Sequence, residues 1–123
     1  MRRFILESLF RLGADRLTRF AHRHKAIVLA YHGFTDRATH PGIENSQGKH
    51  LPVESFRSQL AYLRRHYRVL PLESLIAALE TGAPLPAHSL AITIDDGYRS
   101  NYTLAYPALR EYGLPATVFL LSP

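Results

Sequence analysis

The chain has 123 residues, 46% of them hydrophobic and 20% charged, with a formal net charge of +5. That length holds one modest domain and not two, and the composition excludes an intrinsically disordered chain. Cysteine is absent, which excludes disulfides, thiolate metal sites and cysteine nucleophiles.

The positive charge gathers at the start, where Arg2, Arg3, Arg11, Arg16, Arg19, Arg23 and Lys25 are opposed only by Glu7 and Asp15. Leu6, Leu9, Phe10, Gly13, Leu17, Phe20 and Ala21 follow helical spacing and predict an amphipathic helix with a basic outer face. The default expectation is that its apolar stripe packs against the domain. Contact with a membrane surface or an anionic polymer is the alternative such charge allows. Glu7 and Arg11 interrupt the apolar run a secretory signal needs, and no segment has the apolar length of a transmembrane helix. A cytoplasmic or membrane-associated protein is therefore expected. His22 and His24 are two residues apart, which is not one helix face, so they read as cations favoured near a helix end rather than as metal ligands.

Ala26 to His32 is a continuous apolar run stopped by Gly33, which predicts a strand buried on both faces. Thr35 to Leu51 is polar, with Pro41, Gly42 and Gly48, and predicts a long loop. Val53, Phe56, Leu60, Leu63 and Tyr67 mark a helix, Arg68 to Leu70 a short strand, and Leu72, Leu75, Ile76 and Leu79 a second helix ending near Gly82. After the rigid Ala83-Pro84-Leu85-Pro86 connector comes an apolar strand, Leu90 to Ile94, that runs into Asp95-Asp96-Gly97-Tyr98. Ser100 or Asn101 is expected to cap a helix through Tyr112, stopped by Gly113 and Pro115, and Ala116 to Leu121 is the last strand. Strand, helix, strand over this length predicts a parallel right-handed βαβ unit.

Two adjacent carboxylates at a strand end are costly unless one holds a proton or a cation compensates. Neighbouring side chains on a strand point to opposite faces, so Asp95 and Asp96 can serve one site only where the strand bends or ends. Gly97 suits such a bend. Ligands gather at the carboxyl ends of parallel strands, so position and chemistry agree. The plain structural reading is a turn in which the aspartates cap the next helix.

Ile92-Thr93-Ile94-Asp95-Asp96-Gly97-Tyr98 resembles the first motif, T-F-D-D-G, of the polysaccharide deacetylase family, also called the NodB-homology domain or carbohydrate esterase family four. Tyr106 to Leu109 and Tyr112 to Leu120 are similar to that family's next helix and strand, and Leu29 to Gly33 resembles its opening Y-H strand. The resemblance runs from about Ala26 to Pro123, so residues 1–25 read as a basic N-terminal helix and 26–123 as a partial deacetylase domain. It implies an α/β fold, the N-terminal part of an incomplete (β/α) barrel with parallel strands and crossover helices. It also implies hydrolysis of a non-peptide C–N bond: removal of N-acetyl groups from a polysaccharide or glycan with a divalent metal, usually zinc.

By that resemblance Asp95 is the general base and Asp96 a metal ligand, while His32 and Tyr98 are weaker candidates for lining the substrate. For Tyr98, packing on the next helix is the structural expectation. The family's H-S/T-x-x-H pair is missing: no such arrangement exists among His22, His24, His32, His40, His50, His66 and His88. One aspartate cannot hold zinc tightly where three protein ligands are normal. The remaining ligands are therefore expected to be absent from this chain, which reads as incomplete and inactive alone, with the C-terminal half of the domain as its missing partner. The alternative is a non-catalytic remnant or interaction module that keeps the scaffold. A phosphoacceptor receiver domain would want a lysine late in the chain, and none follows Lys49. Nucleic-acid binding would rest on charge alone, without an aromatic platform, and is not expected.

Overall fold

Six consecutive residues from Ser89 to Ile94 are buried on both sides, and this strand organises the rest of the molecule. The computed structural model describes residues 14–36 and 49–122. In chain order these form α1 (Ala14–Ala21), β1 (Ile27–Tyr31), β2 (Gly33–Thr35), β3 (His50–Pro52), α2 (Val53–His66), β4 (Arg68–Val69), α3 (Leu72–Thr81), β5 (Ser89–Ile94), a π-helical turn (Asn101–Ala105), α4 (Tyr106–Tyr112) and β6 (Thr117–Val118).

All pairing among the described residues is parallel. β1 runs along one side of β5, from Ile27 opposite Leu90 to Tyr31 opposite Ile94. β4 pairs with Ser89 and Leu90, and β6 with Thr93 and Ile94. The Leu90 carbonyl accepts from Leu70 N–H and the Ile94 carbonyl from Phe119 N–H, both at 2.8 Å. Carbonyls an even number of residues apart point to one side of a strand. So β4 and β6 share the edge of β5 that faces away from β1, and every strand of this sheet touches β5. The predicted βαβ unit is present as β5, the π turn with α4, and β6.

Residues two apart on a strand share a face, and Leu90, Ile92 and Ile94 form the core with Phe56, Leu60 and Leu63 of α2 and Ala105, Ala108 and Leu109 around α4. Phe56 stands edge-on to Tyr31 at 5.0 Å and 4.6 Å from Phe34. Burial of the Tyr31 ring raises its phenol above the ordinary value of 10.0. Gly82 and Gly113 end α3 and α4 in the left-handed conformation, where glycine carries no Cβ penalty.

Several expectations change. β1 alternates between half-buried and exposed residues rather than being buried on both faces, and Val28 is 50% exposed. It is the outer strand on its side of β5, and its second face lies uncovered among the described residues. At Gly33 the chain leaves this sheet for a second one rather than entering the loop directly. Residues 33–35 form a second short parallel pair with residues 50–52, bracketing the polar segment. The last strand is shorter than predicted, pairing over Thr117 and Val118. Neither Ser100 nor Asn101 caps the helix. Ser100 is already helical and makes no cap hydrogen bond. Tyr106 N–H reaches back five residues to Asn101, and this wide turn sits just ahead of Pro107, whose ring would crowd an ordinary α-turn.

α1 also departs from expectation. Leu17 and Phe20 are 77% and 64% exposed, while Thr18, Arg19 and His22 line a cleft with Ile27, Tyr67 and His88. The rest of its predicted stripe, Leu6, Leu9, Phe10 and Gly13, lies outside the described residues, as do Arg2, Arg3, Arg11 and His40. No helix among the described residues is long and apolar enough to cross a membrane.

Candidate active site

β5 delivers Asp95 to the carboxyl end of the sheet. Asp95 N–H donates to the Tyr31 carbonyl at 2.8 Å, extending the β1 pairing one residue past the strand. The chain then turns sharply, with φ of +70° at Asp96 and +64° at Gly97. The bend expected at Gly97 therefore begins one residue earlier. Aspartate tolerates the left-handed region better than most side chains, and glycine is at ease there. A Cβ on Gly97 would also press on the Leu120 side chain, which backs the turn.

His32 arrives from the neighbouring strand. Its Nε2 lies 3.9 Å from Asp95 Oδ2, and the two side chains are 37% and 36% exposed. That separation is ion-pair range once His32 is protonated and beyond a direct hydrogen bond. Parallel strands β1 and β5, side by side, thus bring a histidine and a carboxylate together at the end where such folds bind ligands.

Two residues read from the sequence as helix caps instead hold this end of the molecule together. Ser100 Oγ accepts from Phe34 N–H at 3.0 Å, joining the turn to β2. Asn101 is 7% exposed. In the amide orientation that satisfies both neighbours, its nitrogen donates to the His32 carbonyl at 2.8 Å and its oxygen accepts from Tyr98 N–H at 3.2 Å. One buried side chain therefore ties the end of β1 to the acidic turn. Tyr98, expected on the following helix, makes a contact on β3. Its ring meets the His50 ring edge-on at 5.0 Å. His50, in turn, occupies the space a side chain on Gly33 would need. No spacing rule pointed to Asn101, Ser100 or His50. They lie in other local patterns and meet the site only through tertiary contact.

Beside the turn, Gly97, Tyr98, Arg99, Asn101, Tyr102 and Tyr106 border a cleft of about 340 Å³. Such a volume is of small-ligand size. For a divalent metal, Asp95, Asp96 and His32 are the nearest donors in kind. Among the described residues, however, no three His, Cys, Asp or Glu side chains come together to hold a metal. Zinc sites take at least three protein ligands. The described residues therefore do not form a metal centre by themselves.

Comparison with known proteins agrees with this architecture. The polysaccharide deacetylase family model matches residues 82–123. The poly-beta-1,6-N-acetyl-D-glucosamine N-deacetylase of Escherichia coli K12 is 29% identical over 91 residues, covering 73% of this chain and 13% of that protein. The Staphylococcus epidermidis enzyme of the same name is 36% identical over 70 residues, covering 56% of this chain and 24% of that protein. A solved de-N-acetylase from Aggregatibacter actinomycetemcomitans superposes with a TM-score of 0.63 at 27% identity, over 76% of this chain and 36% of that one. A polysaccharide deacetylase of Bacillus subtilis, named there as putative, is 30% identical over 99 residues, covering 79% of this chain and 32% of that protein. The chain thus spans well under half the length of each of these proteins. With its parallel sheet, its Asp-Asp-Gly turn and the helix and strand that follow, the chain belongs to the polysaccharide deacetylase family.

Proposed function

We propose that this chain supplies the opening strands and the acidic turn of a metal-dependent deacetylase acting on N-acetylated polysaccharide or glycan. The observation that carries the proposal is the placement of Asp95 at the carboxyl end of the fully buried β5, with His32 of the adjacent strand 3.9 Å away. In this reading residues 26–123 form the partial domain and residues 1–25 a separate basic segment. Asp95 accepts the proton of a water molecule as its oxygen adds to the acetamide carbonyl carbon. The tetrahedral species collapses, the C–N bond breaks, the amine nitrogen takes up a proton and acetate leaves. His32, 3.9 Å from Asp95, and Tyr98 are assigned to lining the substrate, with Tyr98 bordering the cleft beside the turn. Asp96 is assigned as one ligand of the divalent metal, zinc by family resemblance, with the remaining ligands on a segment outside this chain. The isolated chain is accordingly inactive, and the C-terminal half of the domain is its partner.

The test is made on the natural protein. Its intact mass in a lysate is read first, and a species far heavier than 13.9 kDa carrying these peptides is expected. Release of acetate from an N-acetylglucosamine oligomer, and bound metal by elemental analysis, are then measured on that species. Asp95→Asn abolishes acetate release and keeps the metal, whereas Asp96→Ala loses the metal. Unchanged metal content in Asp96→Ala would refute the ligand assignment. A natural product of 13.9 kDa that releases no acetate with any added partner would favour a scaffold kept for interaction alone.

A further inference from the structure

Helix α1 turns its polar side toward the domain, with Arg19 half-buried and Thr18 and His22 still exposed. Thr18, Arg19 and His22 line the cleft against Ile27, Tyr67 and His88, and the Arg19 guanidinium lies 5.7 Å from the Tyr62 ring. The connection into β1 is held by the Arg23 carbonyl, which accepts from His88 N–H at 2.8 Å. Leu17 and Phe20, 77% and 64% exposed, stand on the outer side. Thr18 and His22 are one helical turn apart, and Leu17 and Phe20 fall on the opposite sector of the same wheel. A domain that served as the only apolar partner of this helix would draw Leu17 and Phe20 inward. The sequence ahead of the helix continues their spacing with Leu6, Phe10 and Gly13.

The surroundings of this patch indicate what covers it. Arg16, His24 and Lys25 are exposed. The Arg23 guanidinium lies 4.0 Å from the Phe20 ring centroid and donates to the Phe20 carbonyl at 3.0 Å, which fixes a positive charge at the rim of the apolar patch. Arg2, Arg3 and Arg11 add charge in the preceding sequence, against Glu7 and Asp15. An anionic polymer would be met by the cations and would leave Leu17 and Phe20 in water. A bilayer interface takes both, with apolar side chains at the acyl boundary and guanidinium groups at the phosphates. We infer that α1 is an interfacial anchor that lays this domain on a bilayer rich in anionic phospholipid. The inference rests on the mounting of the helix and not on the deacetylase assignment.

The full chain is sedimented with vesicles of equimolar phosphatidylglycerol and phosphatidylcholine, and with vesicles of phosphatidylcholine alone. Binding to the anionic vesicles is expected, with about tenfold weaker binding to the neutral ones. The double variant Leu17→Ser/Phe20→Ser should bind the anionic vesicles about a hundredfold more weakly. Its circular dichroism should match the parent, since both side chains are exposed. The chain has no tryptophan, so Phe20→Trp gives a single indole whose emission should shift to the blue on anionic vesicles. Equal binding by the double variant, equal binding to neutral vesicles, or an unshifted indole overturns the inference. So does salt-sensitive binding that ignores Leu17 and Phe20, which would mark a polymer-binding face. Self-association abolished by the double variant, without vesicle binding, would instead mark a contact between copies of the chain and equally overturns it.

Discussion

Replacing Asn101 with alanine is expected to loosen the turn that carries both carboxylates. Its amide makes two hydrogen bonds, of 2.8 and 3.2 Å, from a position 7% exposed. Each bond contributes a net ~1 kcal/mol, and the orphaned His32 carbonyl and Tyr98 N–H add a desolvation cost at the low end of the usual range because the turn beyond them is wet. The sum is a destabilisation of about 2–3 kcal/mol. Urea unfolding followed by circular dichroism measures it, with an unchanged slope showing that the denatured state is the same. Amide hydrogen exchange supplies a local readout, because Tyr98 N–H loses its acceptor and should exchange faster. Asn101→Asp keeps an acceptor for Tyr98 but turns a second oxygen toward the His32 carbonyl. It should therefore preserve the Tyr98 protection while still losing stability. Thr103→Ala, which removes an exposed 3.3 Å bond to the Arg99 carbonyl, is the control and should cost less than about 0.5 kcal/mol. Were Asn101→Ala to match that control, with Tyr98 exchange unchanged, Asn101 would not be the tether between β1 and the acidic turn.

Gly33→Ala should destabilise by about 1–3 kcal/mol because its methyl group falls on the His50 ring. Adding His50→Ala should recover part of that loss, a non-additivity that a double-mutant cycle detects. Phe56→Leu removes the edge-on contact with Tyr31 and the contact with Phe34, and should cost about 1–3 kcal/mol in urea unfolding. Tyr31 holds its proton above the ordinary 10.0 when folded, so the unfolded chain gives it up at lower pH. Its contribution is intact below pH 10 and is lost as pH rises from there through the folded value. Between pH 9 and 11 the urea midpoint of the parent should accordingly fall more steeply than that of Tyr31→Phe, and parallel curves would contradict the assignment.

The strongest local patterns were the legible ones. Val53 to Tyr67 and Leu72 to Leu79 carry helical periodicity, and Gly82 and Gly113 stop α3 and α4 with the backbone that glycine alone adopts freely. The run into Asp95 read as a strand because both its faces are buried, and the acidic pair marked its carboxyl end. Composition could not show which side of β1 would be covered. Ile27 to Tyr31 is apolar throughout, yet an outer strand with one open face leaves Val28 in solvent. The three-residue strands β2 and β3 are too short for any period, and their pairing is set across the polar segment. At the site, Asp95 and His32 could be named from strand ends. Asn101 and Ser100 could not, since a polar residue ahead of a helix reads as a cap whether its side chain turns to the helix or to a strand far away in sequence. Likewise the spacing of Leu17 and Phe20 defined an apolar stripe but not the direction in which it would be mounted.

The central position of β5 has a consequence for the order in which the chain can fold. β1 and β4 both precede it, and neither pairs with the other. Ile27 waits for Leu90, about half the length of the chain away. At ordinary translation speeds that interval lasts on the order of 3–12 s, during which an apolar strand has no sheet to join. β1, synthesised well ahead of β5, thus has no strand of this sheet to pair with until Ser89 to Ile94 emerges. Slow, non-local closure of this kind makes residues 89–94 the place where folding of the sheet is decided.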